Sequence, residues 1–120
     1  MHTVEEWVSS LQQTEKLILV EGQNDKTALE ELNIKNILTV SKTPTYKVVE
    51  AINAKDVIIL TDLDKEGRKY YAQLRHHLQR KGIKIDTEFR EFLLKHTNIT
   101  QIEGLSHYLR TTVATASKMG

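Results

Sequence analysis

Three carboxylate residues follow closely behind two short apolar runs of this sequence. Glu21 comes directly after the run at 17–20, while Asp62 and Asp64 follow the run at 57–60 and are spaced i, i+2. Three acids held near one another repel unless a cation neutralises them, and oxygen-only ligands favour Mg²⁺ or Mn²⁺ over zinc. The pattern therefore predicts a divalent metal site, with helix caps or solvated loop acids as the alternative.

Two glycines lie close to these acids in the sequence and would allow the backbone to approach a bound phosphate. Gly22 follows Glu21, and Gly67 follows Asp64 by three positions. Glycine permits tight turns and a close approach of the backbone to a bound group. A helix beginning after Asp64 would also direct backbone N–H groups and the positive end of its dipole towards an anion.

A strongly basic stretch comes immediately after the acidic motif. Residues 1–64 hold 6 basic and 11 acidic residues, whereas residues 65–84 hold 7 basic residues and 1 acidic residue. Segregated charge within a nearly neutral chain favours a polyanionic partner, here nucleic acid. The alternative is an ordinary solvated helix face. The predicted nucleic-acid-binding residues are Lys65, Arg68, Lys69 and Arg75.

The elements that must position these residues alternate along the chain. Strands are predicted at 17–20, 37–40, 57–60 and 83–85. Helices are predicted at 3–13, from the residue after Asn24 to about Asn33, from Pro44 as the first helical residue, at 66–81, around Phe89 and Phe92, and from Ile102 to Val113. Strands separated by helices form βαβ units with right-handed crossovers and a parallel sheet. We expect an α/β fold, a small Rossmann-like three-layer sandwich with a mainly parallel sheet of about four strands. Ligands bind such sheets at the carboxyl ends of the strands.

Length and composition narrow the class of protein further. A chain of 120 residues fits one compact domain, predicted at 1–114 with a flexible tail at 115–120. The absence of Cys excludes disulfides, thiolate metal sites and a Cys nucleophile. No apolar run approaches the roughly 18 residues of a membrane span, and the acidic start resembles no signal peptide, so we expect a cytoplasmic protein without membrane association.

Two segments together resemble the signature of a known domain family. They are LILVEGQND at 17–25 and VIILTDLDKEGR at 57–68. In this order, each behind an apolar strand, they resemble the Toprim domain shared by topoisomerases, bacterial-type primases, OLD-family nucleases, recombination mediators and the nuclease that matures 5S ribosomal RNA. The resemblance covers 17–86. It implies that Asp62 and Asp64 hold Mg²⁺ and that Glu21 acts as general acid/base or as a further metal contact.

The flanking sequence matches none of the larger members of that family. It resembles neither the domain that supplies a topoisomerase's nucleophilic Tyr, nor the zinc-binding region of a primase, nor the ATPase of an OLD-family nuclease. A standalone small Toprim protein is therefore expected, with Mg²⁺-dependent nuclease chemistry on RNA or DNA as its function. The alternative is a non-catalytic, metal-dependent nucleic-acid-binding module within a larger complex, which would need the same acids and the same basic face.

Two other protein families and several other residues fit this sequence less well. A response-regulator receiver needs an acidic pair after its first strand, and a haloacid-dehalogenase-type phosphatase places Asp-x-Asp there; this chain has neither feature. Asp25 is a fourth acid or, preferably, an early-turn residue of its helix. Arg90 lies in an early helical turn after Asp86 and could reach a ligand, but nothing in the sequence fixes the direction of its side chain. Lys26 and Lys42 lie near the same edge and are weaker basic candidates. The five His residues are interpreted as structural or surface residues.

Overall fold

The computed structural model describes residues 1–110 and has a four-stranded parallel sheet. Its strands are β1 (Leu17–Val20), β2 (Ile37–Thr39), β3 (Asp56–Ile59) and β4 (Lys84–Asp86). They lie in the order β2-β1-β3-β4, and every neighbouring pair is parallel. The predicted α/β class, strand number and parallel sheet are confirmed.

Five helices connect and follow these strands. They are α1 (Val4–Gln13), α2 (Gln23–Glu30), α3 (Thr45–Ala51), α4 (Lys65–Arg80) and α5 (Glu88–His96). A 3₁₀ turn at Ile102–Gly104 comes next, followed by helical residues 105–110. The predicted domain end at 111–114, with Val113, and the predicted tail at 115–120 lie outside the described residues.

Local sequence signals account for most of the helix ends. Thr3 caps α1 by accepting a hydrogen bond from the Glu6 N–H at 3.1 Å, as the sequence predicts. Gly82 ends α4 with a φ of +88°, a left-handed conformation that favours glycine. The prediction for Pro44 is wrong by one position. Pro44 has a ψ of 140°, which is extended backbone, so it is the N-cap and the helix begins at Thr45.

Two apolar cores fill the space on the two faces of the sheet. Along β1 and β3, alternate side chains enter opposite cores, as strand geometry requires. Ile18 and Ile58 face α1, α2 and α5, while Leu19 and Ile59 face α3 and α4. Both faces of a parallel sheet are normally covered by helices, which explains the continuous apolar runs of these strands. The result is the predicted three-layer sandwich.

The strand order brings the ends of β1 and β3 side by side. Leu19 pairs with Ile59, and the Leu60 N–H donates to the Leu19 carbonyl at 2.8 Å. Residues that follow these strands therefore meet at the carboxyl edge of the sheet. Among residues 1–110, no helix is long and apolar enough to cross a membrane.

Candidate active site

Glu21 and Asp62 meet at the carboxyl edge of the sheet although they are 41 positions apart. The Asp62 N–H donates to Glu21 Oε1 at 3.0 Å, which joins the chain after β1 to the chain after β3. Burial raises the pKa of the Glu21 carboxyl, and the negative charges of Asp62, Asp25 and Asp64 raise it further against the opposing hydrogen bond. Glu21 therefore keeps a proton to higher pH than an ordinary glutamate does.

The Asp62 side chain is held by the 3₁₀ turn. Its Oδ1 accepts a hydrogen bond from the Ile102 N–H at 2.9 Å. Burial is the main cause that raises the pKa of Asp62, with further contributions from the negative charges of Asp64 and Glu103. The Ile102 hydrogen bond and the positive charge of Arg90 act in the other direction. Asp62 is thus a fixed carboxylate in an acidic, partly desolvated environment.

Asp64 lies at the N-cap of α4. Its Oδ1 accepts a hydrogen bond from the Gly67 N–H at 2.8 Å. One of the two carboxylate oxygens of Asp64 therefore caps the helix, which is the structural role that the sequence offered as the alternative to metal binding. Gly67 is required here because a Cβ at this position would lie 1.9 Å from the Asp62 carbonyl oxygen. The start of α4 therefore packs directly on the turn that carries Asp62.

A cleft of about 410 Å³ opens beside Glu21 and Asp62. Its lining residues are Glu21, Gly22, Gln23, Asn24, Asp25, Ser41, Lys42, Asp62 and Glu103. Asp64 is not among them. Of the four acids of the cleft, Glu21 and Asp62 follow β1 and β3, Asp25 lies in the first turn of α2, and Glu103 comes from the 3₁₀ turn. The cleft is therefore acidic, with Lys42 on its rim.

The other two acids of this cleft are Asp25, which the sequence offered as a fourth acid or an early-turn residue, and Glu103, which the sequence did not indicate. Asp25 is 7% exposed, and its Oδ2 accepts a hydrogen bond from the Gly22 N–H at 3.0 Å. Burial raises the pKa of Asp25, as do the negative charges of Asp62 and Glu103. Asp25 is thus an early-turn residue of α2 and also a cleft residue. Glu103 carried no sequence signal, because its place depends on how the chain after α5 crosses the sheet edge.

The donor chemistry of this edge fits a hard divalent cation, but the ligands are not preassembled. Among residues 1–110, no three Asp, Glu or His side chains come together closely enough to hold a metal ion. In the described structure, Glu21, Asp62 and Asp64 each use one carboxylate oxygen for a backbone N–H and leave the other without a hydrogen bond. Carboxylate oxygens are the ligands that Mg²⁺ and Mn²⁺ prefer. An ion would have to draw these side chains together.

Arg90 is a site residue whose direction the sequence did not reveal. It is 4% exposed and lies under the turn after β3. Its guanidinium donates to the Thr61 carbonyl, to Thr61 Oγ1 at 2.9 Å and to the Asp62 carbonyl at 2.9 Å. It also lies 4.6 Å from the centre of the Tyr71 ring. Arg90 therefore contacts the main chain of the acidic motif and is too buried to meet a large ligand directly.

The four predicted nucleic-acid-binding residues are all exposed on α4. They are Lys65, Arg68, Lys69 and Arg75. Lys65 is the first residue of the helix, at the same edge as Asp62, while Arg75 is roughly 15 Å further along the axis. Lys69 is 4.0 Å from Glu66, a weak exposed pair. The basic side chains thus run away from the acidic edge along one helix.

The remaining basic candidates separate into different environments. Lys42 lines the acidic cleft, whereas Lys26 lines another cavity with Asn33 and Asn36. Lys81 donates to the carbonyls of Val49 at 2.8 Å and Ile52 at 2.6 Å, which satisfies the end of α3. Lys81 therefore contributes to the fold more than to the basic face.

The sequence is similar to a known domain family and to proteins of two archaea. A family model for the Toprim domain matches residues 15–87. The UPF0292 protein MJ1624 of Methanocaldococcus jannaschii is 35% identical over 101 residues, which cover 79% of each chain. The UPF0292 protein PH1700 of Pyrococcus horikoshii is 35% identical over 111 residues, which cover 88% of this chain and 84% of that protein.

A solved structure agrees with these matches. A putative protein from Aquifex aeolicus superposes with a TM-score of 0.80 at 36% sequence identity, covering 86% of this chain and 98% of that one. The match therefore extends well beyond the signature segments, to most of the sandwich.

Proposed function

This chain belongs to the Toprim domain family, and we propose that it catalyses Mg²⁺-dependent cleavage of phosphodiester bonds in RNA or DNA. Toprim domains generally bind Mg²⁺ and are associated with nucleic acids. The observation that carries the proposal is the hydrogen-bonded pair of Glu21 and Asp62 in an acidic cleft at the carboxyl edge. Ligands of open parallel sheets bind at this edge.

The metal would be held by Asp62 and Asp64, with Glu21 as a further contact. The free oxygens of these three side chains and the repulsion among their charges support this assignment. When bound, the ion lowers the pKa of a coordinated water and neutralises charge on the scissile phosphate. The backbone N–H groups of Asp62, Gly67 and Ile102 keep the acids in place beforehand.

Glu21 is the residue proposed to move a proton. Its raised pKa, caused mainly by burial, brings its proton affinity closer to what a general acid/base needs near neutral pH. Its Oε1 is occupied by the Asp62 N–H, which fixes the orientation of the carboxyl group. The other oxygen is available for a proton of water or of the leaving group.

The basic face of α4 supports a nucleic-acid substrate. Lys65, Arg68 and Lys69 are exposed near the start of the helix, and Arg75 extends the same charge further. Cationic side chains at these positions would contact the phosphate backbone and place a strand beside the acidic edge, which is sequence-independent binding.

Incubation of labelled single- and double-stranded RNA and DNA with the protein tests this function. Cleavage of at least one substrate is expected with Mg²⁺ or Mn²⁺ and none with EDTA. Glu21→Gln retains the hydrogen bond from Asp62 but removes the proton acceptor, so it should suppress cleavage much more than binding. Glu31→Gln, at the exposed end of α2, is the matched control and should cleave like the wild type. Absence of cleavage with every substrate and both metals would contradict the proposal.

A non-catalytic, metal-dependent nucleic-acid-binding module is the second candidate. It is favoured by the exposed basic residues of α4, which would contact a phosphate backbone whether or not the acidic edge cleaves it. In that case Mg²⁺-dependent binding without any cleavage is expected, and Glu21→Gln should bind like the wild type.

A further inference from the structure

We propose that Arg90 is a positioning residue that fixes the turn after β3 and so holds Asp62 in the acidic cleft. The turn consists of residues 61–63, and Asp62 is its only acid. The positioning itself is a property of the metal-free chain, whereas its consequence for metal binding rests on the proposed function.

The contacts of Arg90 are concentrated on the main chain of this turn. One guanidinium nitrogen donates to the carbonyl and to the hydroxyl of Thr61, and the other donates to the carbonyl of Asp62. The Thr61 hydroxyl in turn donates to the Gly67 carbonyl at 2.8 Å, which links the turn to the first turns of α4. Arginine offers a planar fork of donors that can hold two consecutive carbonyls, whereas lysine offers a single nitrogen.

The positive charge of Arg90 is buried, which is unfavourable unless the guanidinium is well hydrogen-bonded. Arg90 forms no ion pair within residues 1–110; its partners are carbonyl and hydroxyl oxygens and the face of Tyr71. Burial lowers the pKa of Arg90, while the negative charges of Glu21 and Asp62 act to raise it. The guanidinium is thus a fixed positive group directly beneath the acidic edge.

The chain after α5 holds the same turn through further hydrogen bonds. The Leu63 N–H donates to the Thr100 carbonyl at 2.8 Å, and the Ile102 N–H donates to Asp62 Oδ1 at 2.9 Å. Ile102 is fully buried, so this segment is firmly packed. Arg90, Thr100 and Ile102 all lie outside residues 15–87, where the family model matches. The turn is therefore held by a part of this chain that its signature motif does not include.

Amide hydrogen exchange in the metal-free protein tests the positioning directly. In Arg90→Lys we expect faster exchange at the amides of Asp62, Leu63 and Ile102, with little change at Ile18 and Ile59 in the sheet. Phe92→Leu is the matched control: it alters the buried face of the same helix without removing any hydrogen bond of the turn. It should reduce global stability and leave the three amides protected relative to the sheet.

Isothermal titration with Mg²⁺ then measures the consequence for the site. Loss of a group that orients a metal ligand typically weakens metal binding by about 10- to 100-fold, and we expect a shift of this order in both Arg90→Lys and Arg90→Met. Phe92→Leu should bind Mg²⁺ as the wild type does. Wild-type affinity in Arg90→Lys with altered affinity in Arg90→Met would indicate a role of charge alone and would overturn the positioning role.

The two readouts separate this inference from the proposed function. If wild-type protein binds no Mg²⁺, the proposed function fails, while the exchange pattern still decides the positioning role. Unchanged exchange at the three amides in Arg90→Lys, or a uniform increase across the sheet, overturns the inference. Selective loss of protection with unchanged Mg²⁺ affinity overturns its link to the metal. If Arg90→Met does not fold, Tyr71→Leu removes the ring beneath the guanidinium and should expose the same three amides.

Discussion

Four acids at the carboxyl edge of the sheet each accept a hydrogen bond from a backbone N–H group. Gly22, Asp62, Ile102 and Gly67 donate to Asp25, Glu21, Asp62 and Asp64, respectively. Hydrogen bonds to an ionised carboxylate stabilise the charged form, yet burial and mutual repulsion outweigh them at Glu21, Asp25 and Asp62. These residues are therefore oriented by the backbone while their charges remain uncompensated, a state that a cation would relieve.

Metal-dependent stabilisation should depend on Asp62 and Asp64. A ligand that binds only the folded state raises its stability by mass action, so Mg²⁺ or Mn²⁺ should raise the Tm of the wild type. Asp62→Asn keeps an oxygen for the Ile102 N–H and should abolish this increment, while Asp64→Asn should reduce it; differential scanning calorimetry measures both. Asp56→Asn, at the opposite end of β3, is the control and should keep the full increment. An unchanged metal response in both site variants would contradict the assigned ligands.

The raised pKa values of Glu21, Asp25 and Asp62 predict an unusual pH dependence in EDTA. Each folded carboxyl holds its proton to higher pH than the same group does in the unfolded chain. Above about pH 4, the folded state therefore binds more protons than the unfolded state does. In that window the contribution of these groups to the free energy of unfolding falls as pH increases. The Tm of the wild type relative to Glu21→Gln should therefore fall between about pH 4 and neutral pH. A difference that rises with pH would contradict the direction of the Glu21 shift.

At the scale of elements, α4 combines two functions that lie on different parts of its surface. Its first turn packs on the turn after β3 through Gly67, and its buried residues Leu74 and Leu78 enter the core shared with α3. Its exposed surface carries the basic residues. The helix thus connects the acidic edge to the proposed binding face as one rigid unit.

The close approach at Gly67 makes a sharp prediction for the docking of α4. In Gly67→Ala, a Cβ would lie 1.9 Å from the Asp62 carbonyl oxygen, so backbone atoms must move apart. We expect a loss of about 3 kcal/mol or more in the free energy of unfolding, measured by urea denaturation. Gly104→Ala, where a Cβ would meet nothing within 4 Å, should change it by less than about 0.5 kcal/mol. Equal stability of the two variants would show that this packing is not required.

The basic surface of α4 should govern salt-dependent binding of nucleic acid. If Arg68, Lys69 and Arg75 contact phosphates, each Ala variant should weaken binding similarly across sequences and lower the slope of log affinity against log salt by about 0.9 for a duplex. Stability should change by less than about 0.5 kcal/mol because these side chains are exposed. Lys55→Ala, exposed at the opposite edge of the sheet, is the control. Wild-type salt slopes in all three variants would indicate that this face is only solvated.

At the scale of the whole molecule, a formal net charge of +1 conceals an ordered charge distribution. The acidic cleft lies at the carboxyl edge, and the basic residues begin at that edge and continue along α4. A polyanion approaching this protein would be attracted by the helix and repelled by the cleft until a cation neutralised the acids. Cation binding and nucleic-acid binding should therefore be coupled in this family member.

The sequence by itself determined the features that depend on local pattern. The runs at 17–20 and 57–60 predicted strands buried on both faces, Thr3 predicted a helix start, and Gly82 predicted a helix end; the fold class and the Toprim resemblance are likewise confirmed. These signals are local because a strand's burial, a cap and a left-handed turn are each set by a few neighbouring residues.

The tertiary structure alone decided which groups hold these acids in place and which further residues join them at the edge. Asp62 contacts Glu21, Arg90 and Ile102 across separations of 41, 28 and 40 positions. These contacts arise from the strand order β2-β1-β3-β4 and from the path of the chain after α5, which packs its apolar residues on one core and so carries Glu103 to the cleft. No local pattern encodes them, because a side chain's direction at a sheet edge is fixed by the elements packed against it.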